Sequence, residues 1–137
     1  MTIREAITKY EETKAKALNR DFLDVVNNTS LCIIIPMNNG VRISIDTHPE
    51  ADYLKEKYPL EMPNKNGVFK RVSFEILDDG IAPILPISIK DNITTSLASG
   101  VAFYVNCAKE RVINEFINFN GGINEEKFTY DIIEQWA

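Results

Sequence analysis

The stretch from Leu31 to Ile45 restricts the fold more than any other part of the chain. Leu31-Cys32-Ile33-Ile34-Ile35-Pro36 is an apolar run rich in β-branched side chains, which pack well on a pleated, buried surface. Asn38-Asn39-Gly40 follows it. An Asn-Gly pair accepts the positive φ angles of a type I′ turn, so the chain is expected to reverse there. Val41, Ile43 and Ile45 then alternate with Arg42 and Ser44, the period of a strand with one covered face. A hairpin with an apolar face must be covered by other elements.

The flanking sequence supplies helices. Ile3, Ile7, Tyr10, Ala17, Leu18, Phe22, Val25 and Val26 recur at helical spacings. Thr2 and Glu5 form a capping box that satisfies two otherwise orphan amides. Asn19 and Asp21 predict a break into two helices near residues 18–20, and Asn27-Asn28 ends the second. Toward the C-terminus, Ala108, Val112, Ile113, Phe116 and Ile117 carry another helical period, stopped by Asn120-Gly121-Gly122. Phe128, Ile132, Ile133 and Trp136 predict a last helix, with Trp136 pinning it to the core.

Between these ends, Thr47 is expected to cap a helix holding Pro49, Glu50, Tyr53, Leu54 and Tyr58, stopped by Pro59. Residues 59–67 read as a loop. Residues 68–76 read as a strand, Asp78-Asp79-Gly80 as a hairpin turn, and residues 81–89 as a returning edge strand carrying Pro83 and Pro86. A short helix over residues 92–98, closed by Gly100, precedes a strand over residues 101–105. The expected fold is one globular domain over residues 1–137, α/β of the α+β kind. Its mixed or antiparallel sheet has about five strands, with the N-terminal helix and the C-terminal helices mainly on one face. Phe22, Ile33, Ile35, Val72, Phe74, Phe103 and Val105 are the expected core. The aromatics Phe69, Phe74, Phe103, Tyr104, Phe116, Phe119, Phe128 and Tyr130 are read as packing residues.

Chemistry-bearing residues are sparse. The chain has one histidine, His48, and two cysteines, Cys32 and Cys107, so no paired-cysteine metal spacing exists. Both thiols are read as core residues, and unpaired thiols suit a reducing cytoplasm. Asp46, His48, Glu50 and Asp52 are the densest polar group, but a helix start at Thr47 would send them in different directions. Ser96-Leu97-Ala98-Ser99-Gly100 lacks the first glycine of a nucleophile elbow, and Gly121-Gly122 lacks the rest of a dinucleotide fingerprint. No catalytic residue, cofactor or metal is expected. A formal charge of −5 argues against non-specific nucleic-acid binding, and no apolar run reaches the length that spans a bilayer.

Two segments resemble the SseB N-terminal domain family. Phe22-Leu23-Asp24-Val25-Val26-Asn27-Asn28-Thr29-Ser30-Leu31-Cys32-Ile33-Ile34-Ile35-Pro36 looks like that family's helix, polar bend and strand closing on proline. Phe74-Glu75-Ile76-Leu77-Asp78-Asp79-Gly80, followed by Ile84-Leu85-Pro86-Ile87-Ser88, is similar to its strand, acidic-Gly turn and Leu-Pro-Val-Phe-Thr strand. Ile87 and Ser88 stand where Val and Phe are usual, and Ile89 replaces Thr. The resemblance implies a small cytoplasmic bacterial α/β domain with no agreed catalytic residues.

Taken together, these features suggest a non-catalytic protein that binds another protein, its acidic residues Asp46, Glu50 and Asp52 facing a basic partner. An inhibitor, such as a toxin-immunity or phage anti-defence protein, is one form of this reading. The alternatives are a ligand-binding domain or enzyme with a carboxylate and asparagine site, and a homo-oligomer joined through an edge strand.

Overall fold

The computed structural model describes residues 1–22, 24–25, 31–47, 60–63, 69–77, 84–90, 93–96, 102–105 and 110–136. Side chains are described for residues 1–22, 24–25, 33–45, 84–90 and 110–136. The architecture is α+β: helices packed with an antiparallel sheet.

Helix α1 spans Ile3–Ala17. Its capping box is formed: the Glu5 amide donates to the Thr2 hydroxyl at 3.2 Å, and the Thr2 amide donates to Glu5 Oε1 at 3.3 Å. The backbone and hydroxyl of Thr2 hold the Glu5 carboxyl below its usual range. The expected break is present. Asn19 takes a left-handed φ of 52°, its amide donates to Lys16 O at 3.1 Å, and the Arg20 amide donates to Ala15 O at 2.9 Å. This is a Schellman closure built on asparagine. The chain is helical again at residues 22 and 24–25, where the Val25 amide donates to Asp21 O.

Strands β1 (Leu31–Pro36) and β2 (Arg42–Thr47) form the expected hairpin, with Ile33 opposite Ile45 and Ile35 opposite Ile43. All four isoleucines are fully buried, while Ile34 is 37% exposed. The turn differs from the expected type I′. Among its residues only Gly40 has positive φ, at 94°. The Gly40 amide donates to Met37 O and the Met37 amide to Val41 O, giving a three-residue loop that ends on the left-handed glycine. Asn39 stays right-handed because its side-chain oxygen accepts from the Val41 amide at 3.1 Å.

The sheet continues through β3 (Leu60–Pro63), β4 (Phe69–Leu77), β5 (Ile93–Ser96) and β6 (Ala102–Val105). Its order is β1-β2-β4-β6-β5, with β3 also on β4, and every pair is antiparallel. The sheet therefore has six strands rather than about five. Residues 60–63, expected in a loop, pair with Phe69–Val72. Thr47 is the last residue of β2, and the helix that it is expected to cap lies outside the described residues. Residues 93–96, expected in a helix, form a strand, because Ile93, Thr94 and Thr95 are all β-branched and find β6 as a partner. The expected strand over residues 81–89 is absent from its described part: Ile87–Lys90 is a helical turn, α2, whose Ile89 and Lys90 amides donate to Pro86 O. The helix expected at 48–58, the Asp78-Asp79-Gly80 turn, His48 and Cys107 lie outside the described residues.

Helices α3 (Glu110–Phe119) and α4 (Glu125–Trp136) complete the chain. Ile3, Ile7 and Tyr10 from α1, Ile113, Phe116 and Ile117 from α3, and Phe128 and Ile132 from α4 join the hairpin isoleucines in one core. Ile33 and Ile35 are buried as expected, Phe22 is only half-buried, and Val72, Phe74, Phe103 and Val105 lack described side chains. Among the described residues no helix is long and apolar enough to cross a membrane.

Asn120 ties the hairpin to α3. It is 1% exposed, and its carboxamide is fully engaged. Nδ2 donates to Ile84 O and Phe116 O, both at 2.8 Å. Oδ1 accepts from Asn39 Nδ2 at 2.7 Å and from the Ile84 amide at 3.1 Å. Gly121, at φ +83°, and Gly122 then close α3, the Gly122 amide donating to Ile117 O at 2.8 Å. Beyond them the backbone pairs with the hairpin: the Asn38 amide donates to Gly122 O, the Asn124 amide to Pro36 O, and Met37 bridges Ile123.

Two outcomes follow. Asn120→Ala should lower stability by about 2–3 kcal/mol, since it removes the side-chain bonds that join α3 to Asn39 and to Ile84. Gly121→Ala should lower it by about 1–2 kcal/mol, because φ is left-handed and a Cβ there would lie 3.4 Å from Asn38 Cβ. Urea unfolding midpoints measure both.

Candidate interaction surface

The orientation of α4 is set by its contacts with α1. Trp136 Nε1 donates to the Tyr10 hydroxyl at 2.9 Å, and the two rings meet edge to face with centroids 6.2 Å apart. Lys14, only 7% exposed, holds its Nζ 4.6 Å from the Trp136 ring centroid. Lys9 donates to the Thr129 hydroxyl. At the other end of α1, Arg4 forms a bidentate pair with Glu110 and the Ile3 amide donates to Asn114 Oδ1 at 2.9 Å. The hydrogen bond to Glu110 raises the Arg4 pKa further above its ordinary value. Trp136 thus pins the last helix to the core.

With Phe128 and Ile132 buried, helical geometry turns Glu126, Tyr130, Ile133 and Glu134 outward together. Tyr130 is 63% exposed and Ile133 51% exposed. They lie three residues apart, so their side chains are neighbours on one face. Glu126 and Glu134, both exposed, flank them. Asn124, Glu126, Lys127 and Tyr130 line an open depression of about 370 Å³ beside the first turn of α4. Both charged side chains of this depression are solvent-exposed, which is no environment for proton transfer. Glu125, Glu126, Asp131 and Glu134 against Lys127 make the helix markedly acidic.

The residues expected to form an acidic binding face are not brought together by the described structure. Asp46 lies in β2, one residue from its end, opposite Cys32 on one side and Ser73 on the other. Glu50 and Asp52 lie outside the described residues. Among the described residues no group of three or more His, Cys, Asp or Glu could hold a metal ion. Tyr130 and Phe119, read from sequence as packing residues, are exposed, as is Ile133, which was counted on the apolar side of its helix. The signal was present in the spacing: Tyr130 is out of phase with Phe128 and Ile132. No protein-family model matches the chain, and no curated protein or solved structure proved similar to it.

Burial lowers the Lys14 pKa from its ordinary 10.5, and the nearby Arg20 lowers it further. The folded protein therefore releases this proton at lower pH than the unfolded chain. Between the two values the unfolded chain binds more protons, so stability rises with pH across that window. Urea midpoints of the parent and of Lys14→Met, followed from neutral pH toward 10.5, should show the parent gaining on the variant. A constant difference would show that Lys14 carries no burial penalty.

Proposed function

We propose that this chain is a non-catalytic protein-binding domain and that it docks a basic partner on the outer face of α4. The observation that carries this reading is the pairing of an exposed aromatic and an exposed aliphatic side chain, Tyr130 and Ile133, inside an acidic frame of Glu126 and Glu134. Tyrosine is enriched among the residues that dominate interface energies, because it buries a large rigid surface and keeps a polar tip. The frame selects the partner. Two copies of this helix laid face to face would oppose their acids, whereas a basic protein would meet complementary charge. The overall charge of −5 works in the same direction. An inhibitor of a basic target is the form of this function that fits best. We further propose, on the likeness of residues 22–36 and 74–88 to the SseB N-terminal domain family, a cytoplasmic bacterial setting, and, on their charge, a part for Asp46, Glu50 and Asp52 in meeting the basic partner.

The test places a photo-crosslinking amino acid at position 130, at position 133 and, as a control, at the exposed Lys16. In the source cell, positions 130 and 133 should capture the same basic protein and Lys16 should not. With that protein purified, Tyr130→Ala should weaken binding by about 2 kcal/mol. Glu126→Lys with Glu134→Lys should slow association at low salt and leave dissociation nearly unchanged, since rim charges act mainly on encounter. An acidic partner, equal capture at Lys16, or a second copy of this chain as the captured species would overturn the proposal.

A further inference from the structure

Both Asn-Gly dipeptides of the Asn120 region, Asn39-Gly40 and Asn120-Gly121, meet in space. Asn39 Nδ2 donates to Asn120 Oδ1 at 2.7 Å, although the residues are 81 positions apart. An asparagine followed by glycine is the sequence most open to attack of the next backbone nitrogen on its side chain, because glycine puts no Cβ in the way. The two sites share this sequence and differ in environment. Asn120 is 1% exposed, with its carboxamide held by Ile84, Phe116 and Asn39. The following amide is hydrogen-bonded at both sites, Gly121 to Asn118 O at 3.2 Å and Gly40 to Met37 O at 3.1 Å, so burial is what separates them. Asn39 is half-buried and its neighbour Gly40 is exposed. The Val41 amide donates to Asn39 Oδ1 at 3.1 Å, where it would stabilise negative charge developing on that oxygen.

We propose that Asn39 is a spontaneous deamidation site and that the folded structure shields Asn120, so that modification acts on one side of the amide pair and weakens the joint between the hairpin and α3. In the reaction the Gly40 nitrogen forms a bond to Asn39 Cγ, and the Cγ–Nδ2 bond breaks. The Gly40 amide hydrogen passes, through solvent, to the departing Nδ2 group, whose own two hydrogens complete the ammonia released. The resulting succinimide is opened by one water: its hydroxyl adds to either ring carbonyl carbon, the bond from that carbon to the Gly40 nitrogen breaks, its other hydrogen restores the Gly40 amide, and the new acid ionises to solvent. The product is Asp or isoaspartate at position 39. No oxidant or cofactor is involved. A carboxylate at position 39 cannot donate to Asn120 Oδ1, and it sets an anion against an acceptor in a buried site. The donor that the Asn120 oxygen loses is one of the bonds that join the β1–β2 turn to the end of α3, beside those from Asn38 to the Gly121 and Gly122 carbonyls.

The experiment ages the full-length protein at mildly alkaline pH, with and without denaturing urea, and follows both asparagines by peptide mapping with separation of Asp and isoaspartate products. In urea the two sites should react at similar rates, since both precede glycine. In the folded protein Asn39 should react faster than Asn120 by about tenfold or more, because modification of Asn120 must wait for local opening. The aged species whose one additional negative charge peptide mapping places at Asn39, and not at the third Asn-Gly pair, Asn66-Gly67, should melt below the unmodified protein, as should Asn39→Asp made directly. Equal rates at the two sites in the folded protein, or modification at Asn120 alone, would overturn the site assignment, as would an Asn39 that stays intact while the urea sample reacts. A singly modified protein that melts with the parent would overturn the latch.

Discussion

A single buried carboxamide holds this fold's parts in register. Asn120 has two donors and an oxygen able to accept twice, and all four capacities are used. Buried polar groups left unpaired are expensive, so a satisfied one specifies geometry strongly: any shift of the hairpin, of residues 84–86 or of the end of α3 breaks a bond that water cannot replace. The apolar core alone would tolerate small slides of one element against another. The amide does not, and with it the neighbouring bridge between Met37 and Ile123 acquires a fixed register.

The rest of the architecture hangs from that junction. The β1–β2 hairpin presents Ile33, Ile35, Ile43 and Ile45 to α1, α3 and α4, and α1 is fastened at both ends. Arg4 and the Ile3 amide engage α3, while Tyr10 and Lys14 engage Trp136 of α4. These contacts set the rotation of α4 about its axis. The solvent-facing position of Tyr130 and Ile133 is thus a consequence of interactions on the opposite side of the helix.

What was legible in the sequence was local. The Thr2–Glu5 capping box, the stop at Asn19, the hairpin around Gly40 and the glycine closure of α3 each depend on residues within a few positions, and each is present. The failures came where distant partners decided. Residues 84–90 look extended in isolation, but the backbone of Ile84 is claimed by Asn120, 36 positions away, and Pro86 starts a helical turn. Residues 93–96 became a strand because β6 was there to pair with them. The turn at Asn39 departed from type I′ because its side chain had other bonds to make. The surface on α4 was half legible: the helix could be read from its spacing, but Ile133 could be assigned to the outside only once Trp136 was seen against Tyr10 and Lys14.

The fastening of α1 has a kinetic side. Its partners Glu110, Asn114 and Trp136 follow it by 106, 111 and 126 positions. A chain made from its N-terminus would therefore produce the apolar stripe of Ile3, Ile7 and Tyr10 long before α3 and α4, with the β1–β2 hairpin as its earlier cover. Contacts of such sequence separation are closed late and slow folding, because the entropy of the intervening loop must be overcome first. The tie between Tyr10 and Trp136 is therefore among the last of the described contacts of α1 to close.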